Sequence, residues 1–382
     1  MNGASPSKPA SYDKKVALVL QGGGALGSYQ AGVYEALSAT DYLPDWVAGI
    51  SIGAINAAII AGNAPEHRVA RLRQFWTEVT RPVFCPALPA PLGINENLAP
   101  AKALMFGQNG FFTPRPPLSF WLGEAPSFYD TSALRSTLER LVDFDRINGG
   151  ETRLSVGSVN VATGNFAYFD SAEMSIGPEH VMASGALPPG FPAVAVGDDF
   201  YWDGGLVSNT PLRYVVEYYP RRSRLIFQVD LFPARGPVPE NLAEVAEREK
   251  DIRFSSRTRA VTDLIRREHD LRHNINELWE NLPPELRALP CAKTLYEFSC
   301  VTRMDIVNLI YRPAESQGPT KDFDFGREAM AARWRAGLDD ACATLTKAPW
   351  MEPMDPQEGA RTFDALRDAA PPVRGGRGGR DG

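Results

Sequence analysis

Apolar runs alternate with helical stripes along the first 230 residues. Val16-Ala17-Leu18-Val19-Leu20 is continuously apolar, which predicts a parallel strand buried on both faces. A helical pattern follows from about Tyr29 to Leu37, with Val33, Ala36 and Leu37 on one face. Trp46-Val47-Ala48 repeats the strand signal, and the small-residue run Ala54 to Ala61 reads as a helix that stops at Gly62. Residues 66–80 place Val69, Leu72, Phe75, Trp76 and Val79 at helical spacing.

Between Arg81 and Asp130 nine prolines interrupt any period, and Phe84, Phe106, Phe111, Phe112, Phe120, Trp121 and Phe128 fall among them. Such a segment is expected either to cover an apolar substrate channel or to pack as an excursion over the main domain. Regular patterning resumes with a helix capped at Asp130-Thr131-Ser132 and running to about Val142. A strand over 154–161, a hairpin partner over 165–169 and a short helix over 180–184 follow. Further on, the pattern predicts a helix to about Tyr218, a buried strand at Leu225–Asp230 and an arginine-rich amphipathic helix over 261–282. A strand-like piece at 301–311 and a helix over 326–346 complete it. Asp263, Glu268 and Asp270 among the arginines of the amphipathic helix favour a solvated helix packed on the protein over one docked on an anionic membrane. The glycine-arginine end is low in complexity and is expected to be disordered.

Composition narrows the class of function. The 382 residues are 44% hydrophobic and 23% charged, with a net charge of −6, an ordinary globular mixture without the basic footprint of a nucleic-acid binder. The four cysteines form no Cys-x-x-Cys pair and the four histidines show no zinc spacing, so reduced thiols and chemistry without a metal are expected. The first fifteen residues lack the apolar core of a secretory signal, and no apolar stretch approaches a membrane span. A cytoplasmic protein is the resulting expectation, with peripheral membrane contact left open.

Three glycine-framed sites carry the chemistry. Gly49-Ile50-Ser51-Ile52-Gly53 joins a strand to a helix, the setting in which a serine stands free on a strained turn and acts as a nucleophile. The alternative is a serine that only caps the helix. Gln21-Gly22-Gly23-Gly24-Ala25-Leu26-Gly27 also links strand to helix and leaves several N–H groups open to negative charge. It has neither the dinucleotide fingerprint nor a Walker lysine, which leaves an oxyanion hole or a plain tight turn. In a parallel sheet both loops emerge at the same carboxyl edge. Asp203-Gly204-Gly205 ends the apolar strand Phe200-Tyr201-Trp202, either as a turn or as an acid open to close approach. None of His67, His180, His269 and His273 has a comparable setting, so a Ser-Asp dyad fits better than a Ser-His-Asp triad. A histidine base, from His180 or His269, is the competing scheme.

The glycine loop, the G-x-S-x-G elbow and the D-G-G, in this order, resemble the patatin-like phospholipase family over residues 14–215. Ala183 to Pro192, just before the acid, resembles a further block of that family. The resemblance implies a three-layer α/β/α domain with a mainly parallel sheet, followed by a mostly helical C-terminal extension at 216–348 similar to that of a bacterial subgroup. Residues 1–13 and 349–382 would be a flexible leader and a disordered tail. It further implies Ser51 as nucleophile, Asp203 as base and the amides of Gly22, Gly23 and Gly24 as oxyanion hole. Gly27, Gly49, Gly53, Gly204 and Gly205 would support these motifs. The activity implied is hydrolysis of lipid acyl esters through an acyl-enzyme, without cofactor or metal. A non-catalytic lipid- or protein-binding scaffold with the same fold is the alternative from another class.

One position departs from the family pattern. Leu26 stands where the glycine loop usually carries Arg or Lys. The backbone donors survive this change, but a cation is lost. The expectation shifts from an anionic phospholipid head group toward a neutral ester, a lysolipid, or a short acyl or hydroxyacyl ester.

Overall fold

The computed structural model describes residues 8–9, 12–81, 99–123, 125–255, 258–355 and 358–366. Among them is a nine-stranded sheet with helices on both faces. Its first strands are β1 (Lys15–Leu20) and β2 (Trp46–Gly49). A two-stranded hairpin of β3 (Thr113–Pro114) and β4 (Tyr129–Asp130) stands apart from it. The main sheet continues with β5 (Arg153–Asn160), β6 (Phe166–Asp170), β7 (Val194–Val196) and β8 (Asp199–Asp203), then β9 (Arg224–Asp230), β10 (Met304–Ile310) and β11 (Ala360–Phe363). The order is β11-β10-β9-β1-β2-β5-β8-β7, with β6 also on β5. Pairing is parallel from β11 through to β5, and antiparallel for β5 with β6 and β8 and for β7 with β8.

The continuous apolar runs exist because both faces are covered. Val16, Leu18 and Leu20 of β1 join one core cluster with the helices Ser28–Ser38 and Ile52–Ala61, while Ala17 and Val19 join a second with Leu212, Val215 and Ile265. The predicted helices after the glycine loop and after the elbow, at residues 66–80, at 212–218 and at 326–346 appear as Ser28–Ser38, Ile52–Ala61, Pro65–Val79, Leu212–Glu217 and Arg327–Lys347. The last packs along Ser28–Ser38 with backbone against backbone. A Cβ on Gly32 would lie 1.9 Å from the Trp334 carbonyl oxygen, and one on Gly337 would lie 2.0 Å from that of Tyr29.

The terminal expectations need correction. Within 349–382, read as a disordered tail, Trp350 is buried and Ala360–Phe363 forms the edge strand β11 on β10. Arg361 Nε donates to the buried Asp305 at 2.9 Å, which fixes that strand. The signal was missed because a four-residue strand paired to a distant one has no local pattern. Within the leader read as flexible, Tyr12 donates its hydroxyl to Asp305 at 3.2 Å. The glycine-arginine end lies outside the described residues. The region beyond residue 216 is also more than a helical layer, since β9, β10 and β11 extend the same sheet.

Candidate active site

Ser51 sits at φ 54° and ψ −124°, one of two non-glycine residues with positive φ among those described. A conformation of this kind costs about 1–3 kcal/mol and persists only where its surroundings hold it. The flanking glycines are required for contact reasons: a Cβ on Gly49 would lie 2.2 Å from the Gly53 carbonyl oxygen, and one on Gly53 2.3 Å from that of Leu20. The elbow is pinned from the side by Ser184, whose carbonyl oxygen and hydroxyl accept the Ser51 N–H at 3.2 and 3.1 Å. The Ser184 hydroxyl donates in turn to the Gly157 carbonyl at 2.7 Å.

Strand register explains how Asp203 meets Ser51. Ser155 of β5 faces Ala48 of β2 on one edge and Asp170 of β6 on the other; Ser158 faces Asp203 of β8 and Ala167 of β6. β2 and β8 therefore share one edge of β5 and run toward each other along it. β2 leaves at Gly49 into the elbow, and β8 arrives from the opposite direction and ends at Asp203. A Cβ on Gly204 would lie 2.6 Å from the Gly157 carbonyl oxygen, in the gap between the two strands.

Asp203 is 2% exposed. Desolvation pushes its pKa up to about 6, against hydrogen bonds from the Ser51 hydroxyl and the Gly205 N–H that favour the charged form. The Gly205 bond is 2.7 Å long. A carboxylate that is ionised at neutral pH yet basic enough to take a hydroxyl proton is the result.

The glycine loop lies beside the serine, with an added Cβ on Gly22 only 3.1 Å from Ser51 Cβ. One sequence expectation is corrected here. The Gly22 N–H donates to the Asn209 carbonyl at 3.2 Å, so it is committed to holding the loop rather than free for an oxyanion. Among the described residues, the N–H groups of Gly23 and Gly24 make no such bond to a loop carbonyl. Gly24 has φ 55°, and its missing side chain leaves room for the Asp322 carbonyl oxygen, which would be 2.3 Å from a Cβ. Gly27 makes the equivalent room for Ile52.

Several residues that the sequence reading passed over shape this loop. Asn209 Nδ2 donates to the carbonyls of Gly22 and Phe254, each at 3.0 Å. Gln21, fully buried, accepts the N–H of Leu231 at 2.6 Å and of Phe232 at 3.0 Å, and donates to Thr210 at 3.0 Å. Leu26 is buried in the core, so its position presents nothing to the cleft. Arg333 of the helix Arg327–Lys347 touches the loop, its Nη1 donating to the Ala25 carbonyl at 3.5 Å. Only the Ser-Asn-Thr-Pro after D-G-G offered a local signal, as a helix start at Pro211.

Around Ser51, Asp203 and the glycines, the cleft wall is largely aromatic and aliphatic, formed by Ile52, Ile55, Leu187 and the rings of Phe111, Phe112, Phe191, Phe232, Phe254, Phe323 and Phe325. The proline-rich segment thus contributes Phe111 and Phe112 to the cleft, whereas Phe120, Trp121 and Phe128 are exposed and Phe84 lies outside the described residues. Neither His180 nor His269 lines it. His180 closes its own helix turn at Gly177, and His269 packs against Gly359. Among the described residues no group of acidic, cysteine or histidine side chains is arranged to hold a metal, and no helix is long and apolar enough to cross a membrane.

A family model described as patatin-like phospholipase matches residues 18–216, just over half of the chain. A second, described as patatin phospholipase, matches residues 252–357. No curated protein matches the chain. Among solved structures the chain is similar to VipD from Legionella pneumophila, at 15% identity over 87% of this chain and 67% of that one, with a TM-score of 0.39. It is also similar to the heterodimeric ExoU–SpcU complex from the type III secretion system of Pseudomonas aeruginosa, at 14% identity over 88% and 76%, with a TM-score of 0.26.

Proposed function

This chain belongs to the patatin-like phospholipase family of ester hydrolases, and on that premise we propose that it cleaves lipid acyl esters with Ser51 as nucleophile and Asp203 as the single base. The observation that carries the reading is the meeting in one cleft of Ser51, on its positive-φ turn, and the buried Asp203, whose pKa desolvation pushes up to about 6. In the first step Ser51 Oγ bonds to the substrate carbonyl carbon and its proton passes to Asp203. The carbonyl electron pair moves onto oxygen, where the N–H groups of Gly23 and Gly24 receive the charge. Collapse breaks the bond to the alcohol oxygen, which leaves with the proton from Asp203. Water then adds to the acyl-enzyme, giving its proton to Asp203, and the second collapse returns that proton to Ser51 and releases the acid. No metal or cofactor enters this balance.

The substrate is read from the cleft. Its wall is overwhelmingly apolar, which suits an acyl chain, and Arg333, which touches the loop at Ala25, is buried and does not line the cleft. A neutral ester or lysolipid fits this arrangement better than an anionic head group held at the glycine loop. The test is turnover of p-nitrophenyl esters from acetyl to palmitoyl by wild type, Ser51→Ala and Asp203→Asn. The proposal expects loss of activity in both variants with folding intact. Activity that survives Ser51→Ala would refute it.

A further inference from the structure

The C-terminal region, outside the residues that carry the sequence motifs, supplies one wall of the cleft. Residues 321–325 cross in front of the glycine loop: the Asp322 carbonyl fills the space left by the missing Gly24 side chain, and Phe323 and Phe325 face the cleft. Phe325 closes an aromatic cage with Phe111 at 6.0 Å and Phe112 at 6.4 Å between ring centroids; Phe191 completes it at 5.3 Å from Phe112. These rings, with Ile52 and Ile55, make an apolar half-cleft.

The segment is clamped. Arg333, 1% exposed, donates to the carbonyls of Asp324 at 2.8 Å and Lys321 at 3.2 Å. Lys321, itself buried, pairs with Glu247 at 3.0 Å and Asp251 at 2.6 Å, and Lys250 pairs with Asp322 at 2.6 Å. Buried cations that satisfy main-chain carbonyls fix a loop more tightly than apolar packing alone, because release would strand them without partners. Phe325 is therefore presented as a rigid surface rather than a mobile flap.

We propose that Phe325, held by this clamped segment, is the specificity-determining wall of the acyl-binding half of the cleft, so that the C-terminal region sets which acyl chain length is accepted. The proposal rests on the reading of Ser51 as nucleophile, which places the scissile carbonyl at the mouth of the cage. A rigid apolar wall discriminates by about tenfold or more per methylene that it admits or refuses.

Two measurements test it and separate it from the reading beneath. The first is kcat/KM across p-nitrophenyl esters from acetyl to palmitoyl for wild type, Phe325→Ala, Phe325→Leu and Phe325→Trp. The ratio of long-chain to short-chain turnover should rise about tenfold in Phe325→Ala, rise less in Phe325→Leu, and fall in Phe325→Trp. The leucine variant carries the test if the alanine variant does not fold. The second is calorimetric binding of fatty acids of the same lengths to Ser51→Ala and to Ser51→Ala with Phe325→Leu, which needs no turnover. Affinity should shift toward longer chains when the ring is removed. Parallel chain-length profiles in all variants, with unchanged fatty-acid binding, would overturn the assignment. Turnover by Ser51→Ala would instead refute the nucleophile, and the binding series would still decide Phe325.

Discussion

Ser184 joins the serine elbow to the strand beside it: its hydroxyl accepts the Ser51 N–H at 3.1 Å and donates to the Gly157 carbonyl at 2.7 Å. The same Gly157 carbonyl sits against Gly204, next to Asp203. One hydroxyl therefore spans the point at which β2 and β8 approach each other. Ser184→Ala should cost about 1–2 kcal/mol of stability, as expected for a buried hydrogen bond whose acceptor is left unpaired. Because the loss falls on the elbow, kcat should drop about tenfold with KM little changed. Urea unfolding and steady-state kinetics on the same preparation check both halves.

The buried Asp203 carboxylate predicts the acid limb of the pH profile. With a pKa of about 6, it is protonated below that pH and cannot accept the Ser51 proton. The logarithm of kcat/KM should fall with unit slope as pH drops below about 6 and be level above it. A profile that stays flat down to pH values well below 6 would remove Asp203 as the base.

The same burial makes a stability prediction of opposite sense to the usual one. The carboxyl's folded pKa of about 6 lies above its ordinary 3.8, so the folded state binds the proton more tightly than the unfolded state. Stability from this group is present below about 4 and is lost as pH rises through about 6. Asp203→Asn removes the ionisable group and should raise stability by about 2–3 kcal/mol at pH 8 relative to wild type. The gain should fade toward pH 4. Thermal unfolding of both proteins across this range is the measurement.

Asn209 predicts a loop defect that is separable from folding. Asn209→Asp keeps the shape but loses the donors to the Gly22 and Phe254 carbonyls and places a negative charge beside the oxyanion position proposed for the glycine loop. The expected loss in kcat is about a hundredfold, the scale of one oxyanion donor. An unchanged kcat would mean that the glycine loop holds its shape without this bond.

The helix contact between the two regions predicts cooperativity. Gly32→Ala or Gly337→Ala would drive a Cβ into the opposing backbone, and overpacking of this kind costs about 1–3 kcal/mol. Each should weaken the docking of Arg327–Lys347 and expose that helix to limited proteolysis before the sheet unfolds. Wild-type protease resistance in both variants would contradict the contact.

What the sequence made legible was local. The G-x-S-x-G, the glycine triplet and the D-G-G each announce a strand end within five or six residues, and the structure brings Ser51, Gly22 to Gly24 and Asp203 together at one cleft. The pairing of Ser51 with Asp203 was legible by elimination of the histidines and from the family resemblance, but the way the two meet was not, because it depends on β2 and β8 sharing an edge of a third strand. The use of the Gly22 N–H was hidden for a related reason: its acceptor, the Asn209 carbonyl, is remote in sequence. Lys321 to Phe325 carry no periodicity, and their role at the cleft follows from tertiary contacts with Glu247, Asp251 and Arg333 alone. Ala360–Phe363 was overlooked because four residues beside a low-complexity end do not form a strand signal.

The central claim is that Ser51, activated by Asp203, is the nucleophile. Mapping the adduct of a fluorophosphonate probe by peptide mass spectrometry tests it most directly. The account predicts a single adduct on Ser51 in wild type, formation slowed by at least a hundredfold in Asp203→Asn, and no adduct in Ser51→Ala. An adduct on another residue, or labelling of Ser51 at the same rate with and without the Asp203 carboxylate, would contradict it.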